Sequence, residues 1–273
     1  MTGPERVVSL VPSLTETVAA LGEARRLVGV TRYCTTGAPR GVARVGGTKN
    51  PDVAAVVALR PDVVLANTEE NRAADLDALR TAGLQVHESF PRTVAAARDL
   101  VAEIAALLGA EGGGITAAID AALDEAARGR PPVRVMALTL VWRRPWMALG
   151  PDTYADDLLW QCGFGNVLSG SGERYPRIEP GLVLGPDVVL LPSEPFPFGE
   201  ADLEGVADLA GPVPAHLVDG ELLTWHGPRT AAALRRFAAL AAGLARSGPV
   251  PSEGRVGFPP RDSLPSGSPA ARL

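Results

Sequence analysis

Apolar positions along the first half of the chain alternate between two periods. The runs RVVSLV (6–11), LVGVT (27–31), DVVLAN (62–67) and QVHES (85–89) are short, rich in β-branched residues and bounded by turn signals, and they predict strands. Between them, SLTETVAALG (13–22), NPDVAAVVALR (50–60) and NRAADLDALRTAG (71–83) predict helices. Ser13 and Glu16 have the spacing of a capping box, and Gly22 and Gly83 stand where helices stop. Pro51 falls at an early helical position, where its missing N–H is not needed. Strands alternating with helices predict an α/β fold with a mainly parallel sheet.

Two Ala-rich helices are predicted next, TVAAARDLVAEIAALLG (93–109) and ITAAIDAALDEAARG (115–129). The glycines between them lack the Lys-Ser/Thr of a phosphate loop and read as a hinge. The alternation then resumes: strand VRVMALTLV (133–141), helix DTYADDLLWQCG (152–163), strands DVVLLP (187–192) and AHLVD (215–219), and helix RTAAALRRFAALAAGLA (229–245). The segment PDVVLANTE (61–69) returns as PDVVLLPSE (186–194), with the glutamate at the same distance from the proline. This repeat predicts corresponding strands in two similar lobes. It sets Glu69 and Glu194 just past the C-terminal strand ends, where open α/β sheets place ligand loops. Helix capping or simple solvation is the competing reading of these carboxylates.

At 273 residues the chain has room for two lobes, and with 46% hydrophobic residues it has material for two cores. A net charge of −5 and the absence of any Lys/Arg cluster argue against nucleic acid as a partner. No apolar run reaches the roughly 20 residues of a membrane span. Two separated cysteines, Cys34 and Cys162, suggest no disulfide framework. The first residues show no basic segment followed by an apolar run. The expected location is therefore cytoplasmic as written, and periplasmic or extracellular if translation starts upstream.

His87, His216 and His226 form no metal-ligand spacing, no GxSxG surrounds a serine, and no GxGxxG follows the first strand. No metal site and no catalytic residue is predicted. The aromatics say more. Tyr33 (TRYCTTG), Trp142 and Trp146 (VWRRPWMALG), Tyr175 (ERYPRIEP) and Trp225 (LLTWHGPR) fall in predicted loops, interleaved with Arg32, Arg143, Arg144, Arg174, Arg177 and Arg229. Rings with a polar edge beside guanidinium groups suit a large flat ligand with anionic substituents. Trp160, inside a helix, is expected in the core.

The ordered set VVSLVPSLTETVAALG, LVGVTRYC, VGGTKNPDVAAVVALRPDVVLANTEENR, LGPDTYADDLLWQCGFGNVL, RYPRIEP, PDVVLLPSEP and LTWHGPR resembles the class III, helical-backbone substrate-binding proteins of metal-chelate importers. These include vitamin B12, haem and siderophore binders, and the similarity, over residues 5–245, is strongest to the cobalamin-binding branch. It implies two Rossmann-like lobes with parallel-rich sheets, bridged by a long α-helix, with a ligand cleft between the lobes. The expected division is 1–109 for the N-terminal lobe, 110–130 for the helical linker, 131–248 for the C-terminal lobe and 249–273 for a disordered tail.

The resemblance also implies a non-enzymatic binder of a corrinoid (cobalamin) or other metal chelate, with no required cofactor and with an ABC transporter permease as partner. Matching by motif places Tyr33, the loop of Gly47, Thr48 and Lys49, and Glu69, Glu70 and Asn71 at the ligand from the first lobe. Trp142, Tyr175 and Trp225 match second-lobe positions. Arg143, Trp146, Arg177, Glu194 and Arg229 complete the expected ligand-binding set. Three departures stand out: no export signal is seen; Glu179 offers a transporter-facing acid in the second lobe, whereas the first-lobe helix VAAVVAL has only Asp52 at its start; and the TRYC loop has no histidine beside Cys34. The alternative function is a cytoplasmic enzyme or chaperone of metal-tetrapyrrole metabolism.

Overall fold

The computed structural model describes residues 3–179 and 185–247, so the predicted tail over 249–273 lies outside the described residues. The chain forms two compact units. Among the described residues, the first runs to Pro91 and adds Ala95–Ile119 and Trp225–Arg229; the second holds Arg92–Val94, those between Asp120 and Thr224, and those from Thr230 to Ser247.

The elements through the first unit are β1 (Val7–Ser9), α1 (Pro12–Ala20), β2 (Leu27–Val30), β3 (Ala43–Arg44), α2 (Val53–Ala58), β4 (Val63–Asn67), α3 (Ala73–Thr81), β5 (Val86–Ser89) and α4 (Val94–Leu108), and α5 (Gly113–Gly129) belongs to it as far as Ile119 and to the second unit from Asp120. The sheet order is β3-β2-β1-β4-β5, with every pair parallel. Alternate side chains of its central strands enter opposite cores. Val7, Val63 and Leu65 pack with Leu14 and Val18 of α1 and with Leu100, Ile104 and Leu108 of α4. Val8, Val64 and Ala66 pack with Val56, Leu76 and Leu79 of α2 and α3. Covering both faces explains why these strands read as continuous apolar runs.

Two local expectations are corrected. The capping box does not form: α1 starts at Pro12, its N-cap Val11 has no side-chain acceptor for a helix N–H, and Ser13 and Glu16 are buried. Proline at the first helical position starts the helix before Ser13 can cap it. In turn, α2 starts at Val53, where the Asp52 carboxylate accepts from Ala55 N at 2.9 Å, while Pro51 lies outside it, bridged to Gly46.

The second unit contains β6 (Val135–Trp142), β7 (Met147–Ala148), α6 (Tyr154–Gln161), β8 (Phe164–Asn166), β9 (Val188–Pro192), α7 (Leu203–Ala210), β10 (Ala215–Val218), α8 (Gly220–Thr224) and α9 (Thr230–Arg246). Strands β10-β9-β6 are parallel, β8 joins β6 in parallel, and β7 is the one antiparallel addition among the described strands. Leu138, Leu140, Val189 and Leu191 face Val206, Leu209 and Phe198. Trp160 is only half-buried, with the Arg134 guanidinium 3.3 Å from its ring centre.

The repeated Pro-Asp now has a physical role. At the start of β4, Asp62 Oδ2 accepts from Glu5 N (2.9 Å) and Arg6 N (2.8 Å), while Asp62 N donates to Arg6 O. At the start of β9, Asp187 Oδ2 accepts from Met136 N (2.9 Å), and Asp187 N donates to Met136 O. In each unit one carboxylate ties the start of a strand to the neighbour it pairs with, β1 or β6, which sets the parallel register. The order β2-β1-β4-β5 thus matches β8-β6-β9-β10. Among the described residues, no helix is long and apolar enough to cross a membrane.

Candidate ligand-binding site

In the second unit the predicted residues gather beyond the C-terminal ends of β6 and β9. There the strand order reverses and α/β sheets bind ligands. Trp142 ends β6 and is 43% exposed. Its ring meets Phe196 edge-on at 5.5 Å, Phe196 lies 4.7 Å from Phe198, and Phe198 stacks with Trp146 at 6.3 Å and 6°. Four rings therefore form one continuous row, with Trp142 exposed, Phe196 and Trp146 half-buried and Phe198 buried in the core at its base. Phe196 and Phe198 were not singled out from sequence, although the doubled aromatic in SEPFPF was the available signal. Glu194 leads into this loop. Gly220 lies so close beneath it that a Cβ there would stand 2.2 Å from Glu194 N, and Gly220 N donates to Ser193 Oγ.

A ladder places Tyr175 and Arg177. Gly150 N donates to Arg174 O, Ala148 N to Pro176 O and Ile178 N to Trp146 O. The segment therefore runs strand-like beside β7, with Pro176 and Ile178 buried and Tyr175, Arg177 and Glu179 exposed. Gly150 is required, because a Cβ there would stand 1.9 Å from Glu173 O. Between this ladder, the Arg143–Trp146 turn and α7 lies a recess of about 330 Å³. Arg143 is paired with Asp202 and lies 5.3 Å from the Trp146 ring centre.

The first unit brings a second group together. Arg32 lies 4.9 Å from the centre of the Tyr33 ring and donates to its hydroxyl at 3.2 Å. A Cβ on Gly47 would meet both side chains at 3.2 Å, so the glycine lets the loop approach the ring. The buried Asn71 amide donates to Thr48 O at 2.9 Å, its oxygen accepts from Asn67 N, and Lys49 Nζ donates to Glu69 O at 2.5 Å. Asn71 thus ties loops together, and Glu69 and Glu70 are half-buried at the end of β4. Tyr33 is the open ring here, at 50% exposure.

Trp225 and Arg229 are placed differently from the other rings and cations. Trp225 is 7% exposed beneath the Arg229 guanidinium, 4.8 Å from the ring centre. Arg229 Nε and Nη2 both donate to Glu16 at 2.6 Å. Between them in sequence, His226 is buried with Nε2 3.4 Å from Ser13 Oγ and from Asn67 Nδ2, and burial lowers its pKa to about 4. Glu16 is a binding partner that sequence reasoning misassigned, because its spacing from Ser13 pointed to a cap.

Both cysteines are buried and free. Cys34 Sγ lies within 3.2 Å of Thr15 and Thr31 hydroxyls beneath the Tyr33 loop, and burial pushes the Cys162 thiol up to about 12. Among the described residues, no group of three His, Cys, Asp or Glu side chains is arranged to hold a metal ion.

Two parallel-rich α/β sheets, each with ring- and guanidinium-bearing loops at its C-terminal strand ends, define the two-lobed solute-binding fold. Residues 7–190 match the periplasmic binding protein family, and the chain belongs to it. The chain is 32% identical over 204 residues to a cobalamin-binding protein of Halobacterium salinarum, an alignment covering 68% of this chain and 53% of that protein. The chain thus spans about half the length of the curated relatives it matches. Among solved structures, the apo periplasmic heme-binding protein RhuT from Roseiflexus sp. RS-1 superposes with a TM-score of 0.75 at 22% identity, over 89% of this chain and 100% of that one. The periplasmic vitamin B12 binding protein BtuF of Vibrio cholerae does so with a TM-score of 0.75 at 21% identity, over 90% and 100%. These two likenesses establish the fold.

Proposed function

We propose that this protein is a non-enzymatic substrate-binding protein that takes up a corrinoid or another metal chelate and hands it to an ABC importer. The ligand is held on the ring-bearing loops at the C-terminal strand ends. The observation that carries this reading is the row of Trp142, Phe196 and Trp146, backed by the buried Phe198, with Arg143, Arg144 and Arg177 around Trp146. A flat macrocycle has apolar faces that gain by leaving water against rings, and polar substituents that pair with guanidinium groups. Kinship with a cobalamin-binding protein points to the same ligand class. In the first unit, Tyr33 above the Gly47 to Lys49 loop is the corresponding open ring.

The test is titration of the purified protein with cobalamin, haem and ferric siderophores, following tryptophan quenching. Saturable quenching by at least one chelate is expected. Failure of all of them to bind would remove the proposal.

A further inference from the structure

The recess in the second unit is lined by Arg143, Arg144, Trp146, Arg177, Glu179 and Asp208, among others. Its three arginines are not equivalent. Arg143 is immobilised: Asp202 takes its guanidinium, that carboxylate is itself fixed by Gly199 N at 2.9 Å, and Nη2 lies where a Cβ on Gly205 would come within 3.4 Å. Arg177 has Glu179 at 3.3 Å, but both side chains are largely exposed, at 66% and 74%. Such a pair is worth under about 1 kcal/mol and exchanges readily. Arg144 is exposed on the adjacent turn, with φ of 67°. The ladder from Trp146 to Ile178 fixes the backbones that carry these two cations, and both line the recess.

The geometry points to an anion subsite: Arg144 and Arg177 clasp a carboxylate or phosphate group on the periphery of the bound chelate, while Arg143 and Trp146 form the fixed floor. This rests on the metal-chelate reading and narrows it to chelates carrying a free anionic group. On binding, the ligand anion replaces Glu179 on Arg177, exchanging a screened surface pair for a more shielded one beside Trp146. Two guanidinium donors on one anion give charge-assisted bonds that a neutral ester or amide cannot match. Glu179 and Asp208 oppose anions in general, so an isolated ion gains little without the ring contacts of the rest of the ligand.

The experiment uses two matched pairs of probes at fixed ionic strength: iron mesoporphyrin against its dimethyl ester, and cobinamide phosphate against cobinamide. Tryptophan quenching is measured for the wild-type chain, the Arg144→Ala/Arg177→Ala double variant and Glu179→Gln. The substituted side chains are exposed, so thermal midpoints are expected to stay close to wild type. In at least one pair the anionic member is expected to bind at least about tenfold tighter to wild type. That preference should fall below about twofold in the double variant and grow in Glu179→Gln. A carboxylate source is indicated if the porphyrin pair shows the effect, and a phosphate source if the cobinamide pair does. Saturable binding without a preference, or with a preference surviving the double variant, overturns the subsite while leaving the chelate-binding function standing. No binding by any of the four probes overturns the subsite, and failure of ferric siderophores to bind as well overturns both.

Discussion

His226 is the place where a proton should decide stability. Its imidazole is buried between Ser13 and Asn67, and burial holds its pKa down at about 4, against about 6.5 in an unfolded chain. The folded protein therefore refuses a proton that the unfolded chain accepts. The resulting stability is fully present above about pH 6.5, declines as pH falls below that value, and levels off below about 4. A gap of about 2.5 units, at about 1.4 kcal/mol each, makes the loss between pH 7.5 and 4 about 3 kcal/mol. His226→Gln keeps a polar group near Nε2 but cannot titrate. At pH 7.5 it should be less stable by about 1–2 kcal/mol through lost packing. It should also lack about 3 kcal/mol of the acid-induced loss, so the two stability curves cross. Urea denaturation followed by circular dichroism at four pH values between 7.5 and 4 measures this. Parallel curves for wild type and variant would refute the account of a neutral buried imidazole.

Three further expectations come from the same geometry. Glu16→Gln leaves Arg229, whose side chain is 24% exposed, without its carboxylate and should cost about 2–3 kcal/mol; a double-mutant cycle with Arg229→Gln should show strong non-additivity in thermal denaturation. Gly220→Ala forces the Ser193–Glu194 loop away, costing about 1–3 kcal/mol and shifting the fluorescence of Trp142, which touches Phe196; an unchanged spectrum and midpoint would contradict the close approach. Asp62→Ala and Asp187→Ala should each cost about 1–2 kcal/mol in denaturant midpoints, because each removes a charged acceptor from backbone N–H groups at a strand start.

Much of the sheet architecture was legible because β4 and β9 are buried on both faces and so print as unbroken apolar runs. Strands β3, β7 and β8 were not, since two or three residues carry no period. Helix α7 was hidden among the prolines and glycines around it, although its apolar stripe of Val206, Leu209 and Ala210 is clear once the core is seen. At the site, scarce aromatics in Pro/Gly-rich loops marked Tyr33, Trp142 and Trp146. Local spacing misled at Glu16, whose partner lies 213 residues away. The same distance hid the environment of Trp225: nothing in LLTWHGPR shows that Arg229 covers the ring and is anchored to α1.

The most direct measurement is a visible-absorbance titration of aquocobalamin, haem and ferric siderophores into wild type and into a Trp142→Ala/Phe196→Ala variant, which removes two rings of the row at the end of β6. The account predicts saturable binding of at least one chelate to wild type, weakened at least about tenfold in the variant. Equal affinity of the two proteins for every chelate that binds, or no saturable change with any of them, would contradict it.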